Sequence, residues 1–273
     1  MRILLTNDDG IDSKGLHALA LAMREHGDVM IVAPDDEYSG ASAAFGALHL
    51  IQPVVYESDV SGIDESYSVG GPPALCVMFA RLGAFGPPPD LIVSGINPGA
   101  NVGRSIYHSG TVGAALTGRN GGIPGVAVSQ AVTGWAADGQ AWGDVVDAID
   151  WEPAARIAAA VVDGLLADLP AGAPVLNINV PDLPLAEMKG FRTTPVGTRP
   201  PRTMASAVLV PRPGHERSFT VDMDWGDAVE IPADTDVGAV IDGWVSVSWL
   251  SRILNDPPPS HKVDAALHTL LGP

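Results

Sequence analysis

Short, almost purely apolar runs alternate along the chain with longer stretches whose apolar positions recur every three or four residues. The first run, Ile3–Thr6, reads as a buried strand. Ser13–His26 follows with Leu16, Leu19, Ala20 and Met23 at helical spacing, and Gly27 stands where a helix stops. Val29–Ala33 predicts a second strand, closed by Pro34; Pro73–Leu82 a helix; and Asp90–Ser94 a third buried strand running into a glycine-rich loop. Ser109 or Thr111 suits the cap of a helix that runs toward Arg119, and Gly125–Ser129 reads as the next strand. Glu152–Leu166 then predicts a helix and Pro174–Val180 a strand. Strands that alternate with helices in this way imply an α/β fold with a mostly parallel sheet and helices on both faces.

Two stretches break the alternation. Ser42 to Val69 reads as β-rich, with alternating segments such as His49–Tyr56. After Pro181, prolines and arginines cluster between Pro195 and Pro213, and short β-like pieces follow at Ser218–Met223 and Trp244–Trp249. This divides the chain into a core over 1–182, an extension over 183–231 that composition reads equally as an oligomerisation arm or a disordered loop, and a strand and helix over 232–273 that return to the core. The last helix is expected at about Lys262–Leu271.

Composition narrows the partners. Of 273 residues, 46% are hydrophobic and 17% charged, which suits a packed core. The net charge of −17 disfavours nucleic-acid polymers and anionic membrane surfaces. A small phosphorylated substrate stays open, because one bound cation overrides a distant negative field. The lone cysteine, Cys76, lies in an apolar setting and excludes an internal disulfide. No signal-peptide pattern or membrane-length apolar run occurs, so a cytoplasmic location is the expectation.

The candidate chemistry gathers at strand ends. Asp8 and Asp9 follow the first strand directly, and adjacent carboxylates repel unless a cation or proton lies between them. The second strand leads to an oxygen-rich loop with Ser39, and the third to Gly95–Gly103 with Asn97 and Asn101. In a parallel sheet all these loops share the carboxyl edge, where ligands bind. Ser109-Gly110-Thr111 opens a helix, and its N–H groups and hydroxyls suit an anion. Hard divalent cations take such oxygen donors, and a cation beside an anion cradle is what phosphate-ester hydrolysis needs. No zinc-like histidine spacing, nucleophile elbow or Walker loop is present. Thr235-Asp236 reads as a turn, and His108 as a weak candidate for proton transfer.

Taken together, Ile3–Gly10, Val32-Ala33-Pro34 with Ser39-Gly40-Ala41-Ser42, Val93–Gly103 and Ser109–Ala115 resemble the SurE family of stationary-phase survival proteins. Ile123–Ser129, Leu176–Pro181 and Thr235-Asp236 continue the register. The resemblance implies a Rossmann-like α/β core with a C-terminal β-rich extension, and a metal-dependent 5'/3'-nucleotidase that hydrolyses nucleoside monophosphates, assembled as a homodimer or homotetramer. It implies one Mg²⁺ or Mn²⁺ per subunit, held by Asp8, Asp9, Ser39 and Asn97, with Asp8 and Asp9 catalytic. Ser109, Gly110 and Thr111 would hold the phosphate, with Asn7 and Asn101 close by. The chain departs from the family at Tyr38, at Leu75 and across Ala43–Ala47. Those departures keep two alternatives in view: a phosphatase for a non-nucleotide metabolite, and a non-catalytic phosphometabolite-binding protein.

Overall fold

The structure, a computed structural model, describes residues 1–48, 50, 52–133, 141–199, 202–251 and 269. Its strands are β1 (Arg2–Thr6), β2 (Asp28–Pro34), β3 (Val55–Glu57), β4 (Glu65–Val69), β5 (Leu91–Pro98), β6 (Gly125–Gln130), β7 (Val175–Val180), β8 (Phe191–Thr193), β9 (Arg202–Pro211), β10 (Phe219–Ala228) and β11 (Val245–Leu250). Its helices are α1 (Lys14–Met23), α2 (Pro73–Arg81), α3 (Gly110–Asn120), α4 (Trp142–Asp147), α5 (Glu152–Ala167) and α6 (Asp236–Ile241). Nine strands form one sheet in the order β3-β4-β2-β1-β5-β6-β7-β11-β8. The block from β4 to β7 is parallel throughout, and β3 and β11 join it antiparallel. β9 and β10 pair only with each other.

Burial on both faces explains why the central strands lack polar alternation. Ile3 and Leu5 of β1 pack under α1 and α5 with Ile31, Val93, Leu19 and Val162. Leu4 points to the other face, against Met30, Ile92, Val77 of α2 and Ala114 of α3. All of these side chains are fully or almost fully buried.

Several elements differ from the sequence reading. α1 ends at Met23, well before Gly27. Gly27 is needed for another reason: a Cβ there would collide with the Met1 carbonyl, which accepts from Asp28 N at 2.8 Å. Within the stretch 183–231, β8 is an edge strand of the main sheet, so the projecting part is the β9–β10 hairpin. Thr235-Asp236 is the start of α6, with the Thr235 hydroxyl accepting from Gly238 N at 3.2 Å. α4 carries no clear sequence signal. Of the alternating segment at 49–56, residues 55 and 56 enter β3, while His49 and Ile51 lie outside the described residues, as does the helix expected at 262–271 except for residue 269.

Candidate active site

The carboxyl edge of β1, β2 and β5 gathers the residues singled out above, and local sequence explains each placement. β1 delivers Asn7, Asp8 and Asp9, and Gly10, at φ +98°, turns the chain out of the sheet. The Asn7 amide donates to the Gly10 carbonyl at 2.9 Å and locks this turn. The loop after β2 is fastened at both ends. Tyr38 N donates to the Asp8 carbonyl at 2.7 Å, and Ser42 N to the His108 carbonyl at 3.1 Å. Ser39 lies between these ties, exposed at the mouth of the site. A Cβ on Gly113 would strike the Ser42 backbone, so the glycine admits this loop to the start of α3.

β5 contributes Asn97 through a bulge. It advances from Ser94 to Asn97 while β6 advances only from Ala127 to Ser129. The Asn97 Nδ2 donates to the Gly99 carbonyl at 2.6 Å, which commits its N–H side to the loop and leaves Oδ1 toward Thr111, 3.4 Å from that hydroxyl.

Asp8 is buried at the start of α3. Its Oδ2 accepts from Gly110 N at 3.1 Å and its Oδ1 from the Thr111 hydroxyl at 2.5 Å. This revises the phosphate site expected from sequence. The helix start does hold an anion, but the anion is the carboxylate of Asp8, so the N–H of Gly110 and the proton of Thr111 are already committed. Ser109 differs: its Oγ accepts from Val112 N at 3.1 Å, leaving its own proton to donate.

The electrostatics call for positive charge. Burial raises the pKa of Asp8 despite the donors from Thr111 and Gly110. Asp9 is pushed up to about 8, first by burial and then by repulsion from Asp8 and Glu37. Asp9 Oδ2 and Asn7 Oδ1 are buried without a hydrogen-bond partner. Two crowded carboxylates, an orphaned carboxylate oxygen and neutral oxygens from Ser39 and Asn97 form a hard donor set that fits a divalent cation. Among the described residues no cluster of three or more His, Cys, Asp or Glu competes with it.

Asn101 is placed less for ligand contact than for loop geometry. Its N–H donates to Asn179 Oδ1 at 2.7 Å and its Nδ2 to Ser129 Oγ at 2.9 Å. Its carbonyl accepts from Asn177 at 2.8 Å and Asn179 at 3.1 Å. Sequence reasoning missed this anchor, although asparagines two apart in an otherwise apolar strand must share one face. It also missed Asp236. That fully buried carboxylate accepts from Gly103 N at 2.8 Å and Gly197 N at 2.7 Å. The residues that depart from the family pattern also separate. Leu75 is a fully buried side chain of α2, whereas Ala43–Ala47 is exposed. His108 is exposed and serves through its carbonyl.

The family model described as survival protein SurE matches residues 3–203. The 5'/3'-nucleotidase SurE of Salmonella arizonae is 36% identical over 248 residues, 91% of this chain and 89% of that protein. The Salmonella typhimurium protein of the same name matches equally. The crystal structure of the SurE protein from Aquifex aeolicus superposes with a TM-score of 0.74 at 30% identity, covering 99% of both chains.

Proposed function

The chain belongs to the SurE family, and from that premise we propose that it is a metal-dependent phosphomonoesterase that hydrolyses nucleoside monophosphates to nucleoside and phosphate. One observation carries the reading: Asp8 and Asp9 are held side by side in a buried corner with an unpartnered Asp9 oxygen. Asp8, Asp9, Ser39 and Asn97 would hold one Mg²⁺ or Mn²⁺ per subunit. When bound, the cation polarises a phosphoryl oxygen and makes a coordinated water more acidic.

The residues then divide the work. Gly110 N–H and the Thr111 hydroxyl fix the carboxylate of Asp8, so it keeps one orientation through turnover. Both Asp8 oxygens are thereby engaged, and Asp9 is the carboxylate left to take the proton of the attacking water. Ser109 donates its hydroxyl proton to the phosphoryl group. Asn7 shapes the β1 turn and Asn101 the β5 loop, both bordering the phosphate.

The hairpin supports assembly as a homodimer or homotetramer. A two-stranded ribbon is marginal alone, yet this one exposes Val208, Leu209, Phe219 and Val221, each more than half accessible. Among the described residues no helix is long and apolar enough to cross a membrane, and we assign the protein to the cytoplasm.

The test is phosphate release from a panel of nucleoside 5'- and 3'-monophosphates with Mn²⁺, with Mg²⁺ and with chelator. Turnover that requires the metal and disappears in Asp8→Asn with Asp9→Asn is the expected result. Turnover indifferent to chelator, or none on any nucleotide, refutes it.

A further inference from the structure

A second, mostly apolar compartment lies on the same edge of the sheet. Beyond the ends of β5, β6 and β7 lies a cavity of about 720 Å³, bounded by the loops at 98–102, 131–133 and 181–183 and by α6. Sites for small organic ligands run from about 300 to 1,000 Å³. Pro98 and Gly99, which line it, directly follow Asn97: Asn97 Nδ2 donates to the Gly99 carbonyl at 2.6 Å, and Gly99 N to the Gln130 carbonyl at 2.7 Å. Its near wall is therefore tied to a proposed metal donor. The far wall, Val237, Val240 and Ile241 of α6, is clamped to the same loop by Asp236, which bonds Gly103 and Gly197.

Two side chains give this compartment its chemistry. Trp142, 42% exposed, contributes a flat aromatic surface. Asp182 uses Oδ2 to accept from both the Thr133 N–H at 3.1 Å and the Thr133 hydroxyl at 2.5 Å. That arrangement fixes its carboxylate and keeps Oδ1 as an acceptor with no protein donor among the described residues. A phosphate would be repelled beside Asp182. A neutral ring with apolar faces and hydroxyl or amino donors is complementary to both groups.

We propose that this compartment receives the nucleoside of the substrate, with the base stacked on Trp142 and a sugar hydroxyl or base amino group donating to Asp182. The assignment rests on the nucleotide reading of the adjoining metal site and adds where, and by which residues, the leaving group is recognised.

The experiment measures adenosine and guanosine binding by calorimetry to the full chain, to Trp142→Ala, to Trp142→Phe and to Asp182→Asn, with melting curves as fold controls. Base stacking sets the expected loss in Trp142→Ala at about tenfold in affinity, with Trp142→Phe recovering most of it. Asp182→Asn is expected to lose about fivefold, the scale of one weakened charge-assisted hydrogen bond. The ratio of kcat/KM for a nucleoside monophosphate over glycerol 2-phosphate should fall about tenfold in Trp142→Ala, mainly through KM. Nucleosides that bind all four proteins equally, or do not bind the unaltered chain at millimolar concentration, overturn the proposal. Nucleoside binding that weakens as described, without phosphate release from any nucleotide, upholds the compartment and refutes the hydrolase reading instead.

Discussion

Replacing Asp9 by asparagine should stabilise the metal-free protein while abolishing its response to metal. Asp9 is raised from its usual 3.8 to about 8, by burial first and by Asp8 and Glu37 next. A carboxyl raised on folding binds more protons in the native state. Its contribution is therefore complete below about pH 4 and is lost as pH rises toward 8. A shift of that size corresponds to at most about 6 kcal/mol, and relaxation with water access at this partly open site reduces it to about 1–3 kcal/mol. Asparagine keeps the shape and removes the charge. In chelator, Asp9→Asn should match the parent near pH 4 and exceed it by about 1–3 kcal/mol at pH 8. With an unfolding entropy of about 2 cal/mol/K per residue over 273 residues, that is about 2–5 °C in Tm. Manganese at a hundredfold excess over its Kd should then stabilise the parent by about 2.7 kcal/mol and the variant far less. Calorimetric melts between pH 4.5 and 8.5, with chelator and with Mn²⁺, decide the matter. A variant less stable than the parent in chelator at pH 8, or equally stabilised by Mn²⁺, refutes the reasoning.

Other perturbations probe neighbouring contacts. Thr111→Val removes the hydroxyl that holds Asp8 at 2.5 Å, and should raise the Mn²⁺ needed for half-maximal activity about 10- to 100-fold; an unchanged titration curve contradicts that role. Gly110→Ala brings a methyl within 2.7 Å of Asp8 Oδ2 and 2.8 Å of its Cβ, and should cut kcat at least about tenfold by displacing the carboxylate, measured as phosphate release. Changing Val208, Leu209 and Val221 together to serine should shift the light-scattering mass to that of a monomer, since these exposed apolar positions are the proposed contact. Cys76 is fully buried, and burial pushes its thiol pKa up; a disulfide reagent should leave it unmodified in the native protein and titrate one thiol after denaturation.

The sheet was legible because its central strands are buried on both faces, and an unbroken apolar run such as Ile3-Leu4-Leu5 has few alternatives. Strand ends in a parallel sheet share an edge, so strand order brings the loops that carry Asp8, Asp9, Ser39 and Asn97 together, whereas the choice of those four as metal ligands came from the family resemblance. What sequence does not carry is which partner a polar group takes. Ser109-Gly110-Thr111 announces an anion site, yet only the folded geometry shows Asp8 already within it. Gly27 looks like a helix stop because glycine serves there so often, whereas its actual constraint is the Met1 backbone, contributed by the other end of the strand–helix unit. Asp236 was hidden because its partners, Gly103 and Gly197, lie 133 and 39 residues away. Thr235 was read as part of a turn, although threonine followed by an acid before an apolar run is a common helix start.

The position of β1 in the sheet bears on how this protein is made. It leaves the ribosome before both of its neighbours, β2 and β5, and β5 ends only at Pro98. Until β5 has emerged, one flank of β1 has no partner and the two acids that follow it have no enclosure. Ion capture therefore comes late in biogenesis, and a nascent chain stalled before Pro98 should be sticky and blind to manganese.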